Sequence, residues 1–334
     1  MSLLHSAIPT IEPVAPGPRP RFSVMVPTYR PGEMLHRTLA SVLGQAGPSP
    51  EMQIAVVDDG SDRAVLERLV RSADREGRVE IHAGGEHLGL SGNWNRAIGL
   101  ARGHLVHLLH QDDCILPGFY ERMERAFLRA PLIGMAFCPS RIVDGQDRLI
   151  KCTWRQRLWP GVISNWLPRI AIRQRIQTPA VVVARTTYEL LGGYRSDLCH
   201  TLDWEMWVRI AARMPVWHET RPLAVYRRHE ASESSRLLAQ GMVWPDLVHA
   251  IQINAESFTA QERSVFVARS ARWYAGSALR TVEKQLHRAD AAAARITLDH
   301  ARRLLECIGD VRLRSDIEGH VAVLDRRIES LAAA

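Results

Sequence analysis

No run of 18 apolar residues occurs in this sequence, so nothing in it reads as a membrane-spanning helix. Its five cysteines, Cys114, Cys138, Cys152, Cys199 and Cys307, lie far apart with no CxxC or other ligand-like spacing. An odd, dispersed set reads as reduced thiols in a cytoplasmic protein. The opening stretch MSLLHSAIPTIEPVAPGPRP has no basic n-region and no long apolar core, and it is rich in proline. That composition predicts a disordered leader over residues 1–20, not a signal peptide. No glycine-rich, lysine-bearing phosphate loop accompanies the first strand, which argues against a nucleotidyltransferase. Internal repeats are missing too, as is any low-complexity tract beyond the leader.

What is present is an ordinary globular balance, 46 % hydrophobic and 24 % charged residues in a chain of 334. The formal net charge is +7 with a pI of about 9.5, which suits an anionic partner such as a nucleotide or a phospholipid surface. Nucleic acid is not the expected partner. The chain has no recognition motif and no basic helix with interleaved aromatics.

From Phe22 the pattern becomes regular. FSVMVP is a short apolar run closed by proline, a buried strand by length and β-branching. GEMLHRTLASVLGQ then sets Leu35, Leu39, Val42 and Leu43 on one helical face. The strand MQIAVVDDGSD, a helix through RAVLERLVRSADREG, the strand RVEIHAGG, a helix around NWNRAIGLARG and the strand HLVHLLH follow in turn. This alternation predicts an α/β fold, a mostly parallel sheet with helices on both faces. Residues 139–230 are less regular, and beyond about residue 235 alanine-rich, mixed-charge segments predict a C-terminal helical appendage.

In parallel sheets ligands bind beyond the carboxyl ends of the strands. Asp58, Asp59, Asp112 and Asp113 all fall there. The adjacent pair Asp112 and Asp113 poses a like-charge problem that a hard divalent cation, Mg2+ or Mn2+, resolves while diphosphate oxygens fill its other positions. The bland alternative, capping of the next helix, applies most directly to Asp62. The turn VPTYRPG offers the backbone around Pro27 and Thr28 and the ring of Tyr29 to a nucleobase. Strand periodicity sends His107 and His110 to opposite faces, so both read as structural.

Taken in order over residues 22–235, FSVMVPTYRPGEMLHRTLASVLGQ, IAVVDDGSD, GLSGNWNRAIGLARGHLVHLLHQDD, LGGYRSDLCHTLDWEMWVRIA and YRRHEASES resemble family 2 glycosyltransferases, which have the GT-A nucleotide-sugar fold. The resemblance implies a GT-A domain over 21–235. Its nucleotide-binding part would span about 21–115 and its acceptor part about 116–235, with 236–334 as the helical region. It implies that Pro27, Thr28, Tyr29, Asp58, Asp59, Asn95 and Asp112 bind the nucleotide of a UDP-, dTDP- or GDP-linked sugar. It further implies that Asp113 and His229 hold the metal. The family's DxD element becomes QDD, with Gln111 at the first position, and Trp94 stands where the family has an arginine.

LDWEMW resembles the element carrying the catalytic base, which falls on Asp203, with Glu205 as the backup. An inverting transfer needs such a carboxylate to take the acceptor hydroxyl's proton. The acceptor implied is a glycan, a lipid-linked intermediate or a small molecule, in bacterial glycan or glycoconjugate biosynthesis. The reading from a different class is a catalytically silent nucleotide-sugar or polyanion-binding protein. Residues 148–175 carry seven basic residues, three tryptophans and no acid. Either Trp154, Trp159 and Trp166 pack between sheet and appendage, or the stretch meets the acceptor or the inner face of an anionic membrane.

Overall fold

The structure, a computed structural model, describes residues 7–47, 51–309 and 311–333. The chain divides into two compact units. The first comprises residues up to Trp166 together with Arg175–Ser232, and the second Leu167–Gln174 with Glu233–Ala334. The boundary expected near residue 235 lies at 232/233, and the eight residues 167–174 leave the first unit for the second.

Alternation of strand and helix opens the first unit: β1 (Phe22–Thr28), α1 (Met34–Leu43), β2 (Met52–Asp58), α2 (Arg63–Ala73), β3 (Val79–His82), α3 (Gly89–Leu100) and β4 (Leu105–Leu108). Then come β5 (Cys114–Ile115), α4 (Phe119–Arg129), β6 (Met135–Phe137), β7 (Ser140–Val143), β8 (Leu149–Cys152) and β9 (Gly161–Val162). After the excursion of α5 (Leu167–Ile172) into the second unit follow a 3-10 turn (Thr178–Ala180), β10 (Val181–Ala184), α6 (Arg185–Leu191), α7 (Leu202–Arg213), β11 (Val216–His218) and β12 (Ala224–Arg227).

The large sheet has the order β3-β2-β1-β4-β10-β6-β11-β9, and a second sheet has the order β5-β12-β7-β8. Strands β1 to β4 pair in parallel, and β10 runs antiparallel between β4 and β6. All seven residues of β1 and of β2 are buried, as a strand covered on both faces requires. Leu35, Leu39 and Val42 of α1 and Leu66, Leu69 and Val70 of α2 close over Val24, Val26, Ile54 and Val56. Gly103 makes the turn before β4 against the backbone of β1: a Cβ there would stand 2.5 Å from the amide nitrogen of Ser23.

The disordered leader expected over residues 1–20 is corrected over 7–20. The Gly193 amide donates to the Pro9 carbonyl at 2.8 Å, the Ser196 amide to that of Ala7 at 2.9 Å, and the Arg185 guanidinium to that of Glu12 at 2.9 Å. Ile11 is buried. Backbone donors next to a core need acceptors. A proline-rich segment offers carbonyls while asking for few partners of its own. Residues 1–6 lie outside the described residues.

The second unit is helical: α5 with α8 (Glu233–Ala239), α9 (Val243–Ala255), α10 (Ala260–His287), α11 (Ala291–Glu306) and α12 (Val311–Ala333). Thr259 and Glu262 form a capping box that starts α10. Ala268, Ala271, Ala275, Ala278 and Val282 are among its buried residues, and Ala294, Leu298, Ala301 and Leu305 among those of α11, which packs against it in the same helical unit. Small residues at this spacing let two helices approach closely. Asp325 of α12 binds Arg295 and Arg302 of α11. Among the described residues no helix is long and apolar enough to cross a membrane.

Candidate active site

Parallel pairing puts Thr28 at the end of β1 opposite Asp58 at the end of β2. The Thr28 hydroxyl donates to Oδ1 of Asp58 at 2.9 Å. Ser61 donates to Asp58 through its hydroxyl at 2.6 Å and its amide at 2.7 Å, and the Gly60 amide adds a fourth contact at 3.1 Å. Asp59 is engaged just as fully, accepting from the amides of Leu88 at 2.7 Å and Gly89 at 2.9 Å at the start of α3. Both carboxylates are buried. The two acids expected to bind nucleotide therefore shape the walls of the cleft, and their oxygens already carry hydrogen bonds. Asp62 accepts from the Val65 amide as the N-cap of α2.

Pro27 is buried in β1, whereas Tyr29 is exposed just past it, its ring 4.4 Å from that of His87 and carrying the Arg30 guanidinium at 5.1 Å. Its backbone is clasped by Gln111: the Tyr29 amide donates to Oε1 at 3.0 Å and Nε2 donates to the Tyr29 carbonyl at 3.1 Å. Read in sequence, Gln111 is only a missing charge. In space it joins the β1 turn to the acidic loop, and only an amide can donate and accept in this way.

The acidic loop follows β4, which ends at Leu108. His107 is buried on the strand, between the Pro179 carbonyl at 3.0 Å and the Tyr120 hydroxyl at 3.2 Å. His110 lies beyond the strand, so the expectation from strand periodicity fails for it. Its ring stacks 4.9 Å from Trp94, and Nδ1 is 3.5 Å from Oδ2 of Asp113. One ligand atom each from His110, Asp112 and Asp113 falls within 4.8 Å of the others.

Antiparallel pairing of β12 with β5 carries the chain past this loop. The Arg227 amide donates to Oδ1 of Asp113 at 2.8 Å, and its Nε donates to the Asp112 carbonyl at 3.0 Å. Two residues on, Nε2 of His229 sits 2.8 Å from Oδ2 of Asp112. The pair expected to hold metal, Asp113 and His229, is thus not the pair that meets. Asp112 and His229 face each other, while Asp113 is buried behind them against Arg227 and His110.

Burial works to raise the Asp112 pKa, but the His229 hydrogen bond and the His110 charge hold it below the usual value. Desolvation and the neighbouring Asp112 charge push Asp113 up. The bond to Asp112 raises His229. Burial would lower His110, but its contact with Asp113 and the charges of Asp112 and Asp203 raise it instead.

That electrostatic influence ties Asp203 to the cluster. Asp203 lies in the first turn of α7, partly buried, its Oδ1 accepting from the Trp204 amide at 2.6 Å. Its Oδ2 accepts from the Thr178 hydroxyl at 3.3 Å. Desolvation raises its pKa against the pull of His200 and His110. Glu205 is buried and locked to Arg209 by bonds of 2.9 Å from each oxygen.

Asn95, expected to bind nucleotide, is bonded to Tyr194. Its Nδ2 donates to the Tyr194 carbonyl at 2.8 Å and its Oδ1 accepts from the Tyr194 amide at 2.7 Å. Both polar atoms are occupied by the backbone of one residue in the 192–195 loop. Trp94 is buried between His110 and Tyr194, its ring 4.9 Å from each. Sequence reasoning missed Thr178 and the partners of Gln111 and Arg227. None has a local signal, since each acts through a partner between 25 and 115 residues away.

The donor set, carboxylate oxygen with imidazole nitrogen, suits Mn2+ and tolerates Mg2+. Nε2 of His110 is buried without a hydrogen-bond partner, and Oδ2 of Asp113 lies 3.5 Å from Nδ1 of His110.

Comparison with known proteins bears on this arrangement. The family described as Glycosyl transferase family 2 matches residues 23–183, from β1 into β10. An uncharacterized protein, MT1568, of Mycobacterium tuberculosis (strain CDC 1551 / Oshkosh) is 32 % identical over 248 residues, which is 70 % of this chain and 74 % of that one. The chondroitin synthase of Pasteurella multocida (strain Pm70) is 21 % identical over 198 residues, 58 % of this chain and 19 % of the synthase. Among solved structures, S. aureus TarS 1-349 in complex with UDP-GlcNAc has a TM-score of 0.63 at 15 % identity, covering 93 % of this chain and 90 % of that one. Likeness of that last kind concerns the fold.

Proposed function

The chain belongs to glycosyltransferase family 2, and on that premise we propose that it moves a sugar from a nucleoside-diphosphate donor to an acceptor hydroxyl with inversion at the anomeric carbon. The observation that carries this reading is Asp203. Its carboxylate has one oxygen held by a backbone amide and the other accepting a long hydroxyl contact, within electrostatic reach of His110 in the acidic cluster. Desolvation raises its pKa toward the working range of a general base. Asp203 takes the acceptor proton as the hydroxyl attacks, and the diphosphate leaves from the opposite face.

Asp112 and His229 would hold the cation, in place of the pair expected from sequence, with Asp113 as a fixed charge behind them. When bound, Mg2+ or Mn2+ would offset the charge of the departing diphosphate. Tyr29 stacks on the base, and Gln111 holds the Tyr29 backbone in register with the acidic loop. A UDP-linked sugar is the first donor to try, because TarS binds UDP-GlcNAc. The acceptor is a glycan or a lipid-linked or small-molecule hydroxyl of bacterial glycan biosynthesis.

A thermal-shift series with UDP, dTDP and GDP, each with and without Mn2+, tests the binding half of the reading. A rise in melting temperature for one of them that a chelator abolishes is the expected result. No shift with any nucleotide would overturn it.

A further inference from the structure

Sixteen large hydrophobic side chains stand exposed among the described residues, and six of them fall between positions 149 and 162: Leu149, Ile150, Trp154, Leu158, Trp159 and Val162. Trp154 is 85 % exposed, Leu158 83 % and Trp159 76 %. Packing of these two tryptophans into an interior, one of the expectations from sequence, is corrected. Only Trp166 is buried, stacked 5.3 Å from Phe137. An apolar side chain alone at a surface needs no explanation, but a cluster of this kind marks an interaction site.

The segment is held in place. It runs from β8, the outer strand of the small sheet, to β9, the outer strand of the large one. The Thr153 amide donates to the Ser140 carbonyl at 2.9 Å, and the Ser140 amide donates to the Thr153 hydroxyl at 2.8 Å. The Gln156 amide donates to Nε2 of His218 at 3.1 Å, and the Ile163 amide to the Val216 carbonyl at 2.9 Å. Anchored at both ends and in the middle, the loop presents its tryptophans outward.

Charge decides what they face. Arg148, Lys151, Arg155 and Arg157 alternate with the apolar side chains, and residues 148–162 contain no acid. We propose that β8 and the 153–162 loop form a docking surface for an anionic lipid bilayer. Tryptophan suits the headgroup zone, and nearby Lys and Arg add attraction to anionic lipids. A sugar chain would use the flat rings but has no use for exposed Leu149, Ile150 and Leu158, which an acyl boundary covers. Arg173, basic and nearby in sequence, is not part of this surface. It stacks over Trp273 at 5.0 Å within the helical unit. Strand β8 lies two strand spacings, roughly 10 Å, from β12, the strand that delivers Arg227 and His229 to the site. Docking here keeps the cleft close to whatever the bilayer carries.

The test is co-sedimentation of the full chain with vesicles of phosphatidylcholine alone and of phosphatidylcholine with phosphatidylglycerol. Expected is partition into the anionic vesicles that falls at least tenfold in R155E/R157E and again in W154S/W159S, with neutral vesicles taking up little. Of the four side chains replaced, Trp154, Arg155 and Trp159 are exposed and Arg157 is half-buried, and circular dichroism melts check that both variants fold. No sedimentation, equal uptake by neutral vesicles, or wild-type uptake by both variants would overturn the proposal. A smaller sedimentation coefficient for W154S/W159S without vesicles would do so too, by showing that a second copy covers the face.

Discussion

Nε2 of His229 lies 2.8 Å from Oδ2 of Asp112, across 117 residues of chain. The contact exists because β12 pairs with β5, the two-residue strand directly after the acidic loop. It divides two adjacent aspartates into different duties. Asp112 faces the cleft with a lowered pKa, and Asp113 turns inward to Arg227 with a raised one.

Exchange of these two aspartates should separate binding from folding. Asp112→Asn and His229→Ala are each expected to weaken Mn2+-dependent nucleotide binding at least tenfold with little change in melting temperature. Asp113→Asn should mainly lower the melting temperature, because it loses charge-assisted bonds inside the protein, worth about 1–3 kcal/mol. Calorimetric titration of nucleotide with Mn2+, alongside thermal melts, reads both. Equal binding losses with unchanged melts in all three would put Asp113 back among the ligands.

Asp203→Asn should reduce turnover by a factor of about 100 to 10,000, the usual contribution of a general base, while donor affinity stays within about twofold. Rate and nucleotide affinity measured on the same preparation decide this. Substantial remaining activity would remove Asp203 as the base, and Glu205, locked to Arg209, would not replace it.

The Gln111 clasp on Tyr29 predicts a donor effect without a metal effect. Gln111→Ala removes two hydrogen bonds of roughly 1 kcal/mol each and frees the Tyr29 turn. Nucleotide affinity should fall about tenfold, while Mn2+ affinity, followed by its paramagnetic signal, is unchanged.

Asn95→Ala tests whether the residue serves the fold or the diphosphate. Losing both bonds to the Tyr194 peptide should cost about 1–3 kcal/mol of stability, read by denaturant unfolding. Gly193→Ala should be at least as damaging, since its Cβ would stand 2.2 Å from Oδ1 of Asn95. A tenfold loss of nucleotide affinity in Asn95→Ala without loss of stability would return the residue to the diphosphate.

His107 supplies a pH prediction. Burial lowers its pKa from 6.5 to about 4, so the folded protein keeps the ring neutral where the unfolded chain binds a proton. Its contribution is complete above pH 6.5 and is lost as pH falls toward 4. The loss reaches at most about 3 kcal/mol. The stability gap between wild type and His107→Gln, measured by urea unfolding, should be wider at pH 7.5 than at pH 5.

The mostly parallel sheet was legible because its strands advertise themselves. The seven buried residues of β1 and of β2 are mostly apolar, with Ser23 and Gln53 bonded to each other, and a proline or an acid ends each run. The acids at strand ends were legible for the same reason, since a carboxylate directly after such a run needs polar partners. Partners were not legible. Asp58 and Asp59 look like ligand acids until the amides of Gly60, Ser61, Leu88 and Gly89 are seen to occupy them. His110 looked structural because strand periodicity was extended two residues past the end of β4.

Sequence by itself determined the family, the strand and helix order, the neighbourhood of Asp112, Asp113 and Asp203, and the basic tryptophan stretch, because periodicity and local motifs are properties of adjacent residues. Tertiary structure decided which acid meets His229, that Gln111 holds Tyr29, that Asn95 serves a loop and that Trp154 and Trp159 face outward. Each of these depends on two segments brought together by strand pairing or on a surface left uncovered. Burial and partnership belong to the folded chain, and no run of neighbouring residues encodes them alone.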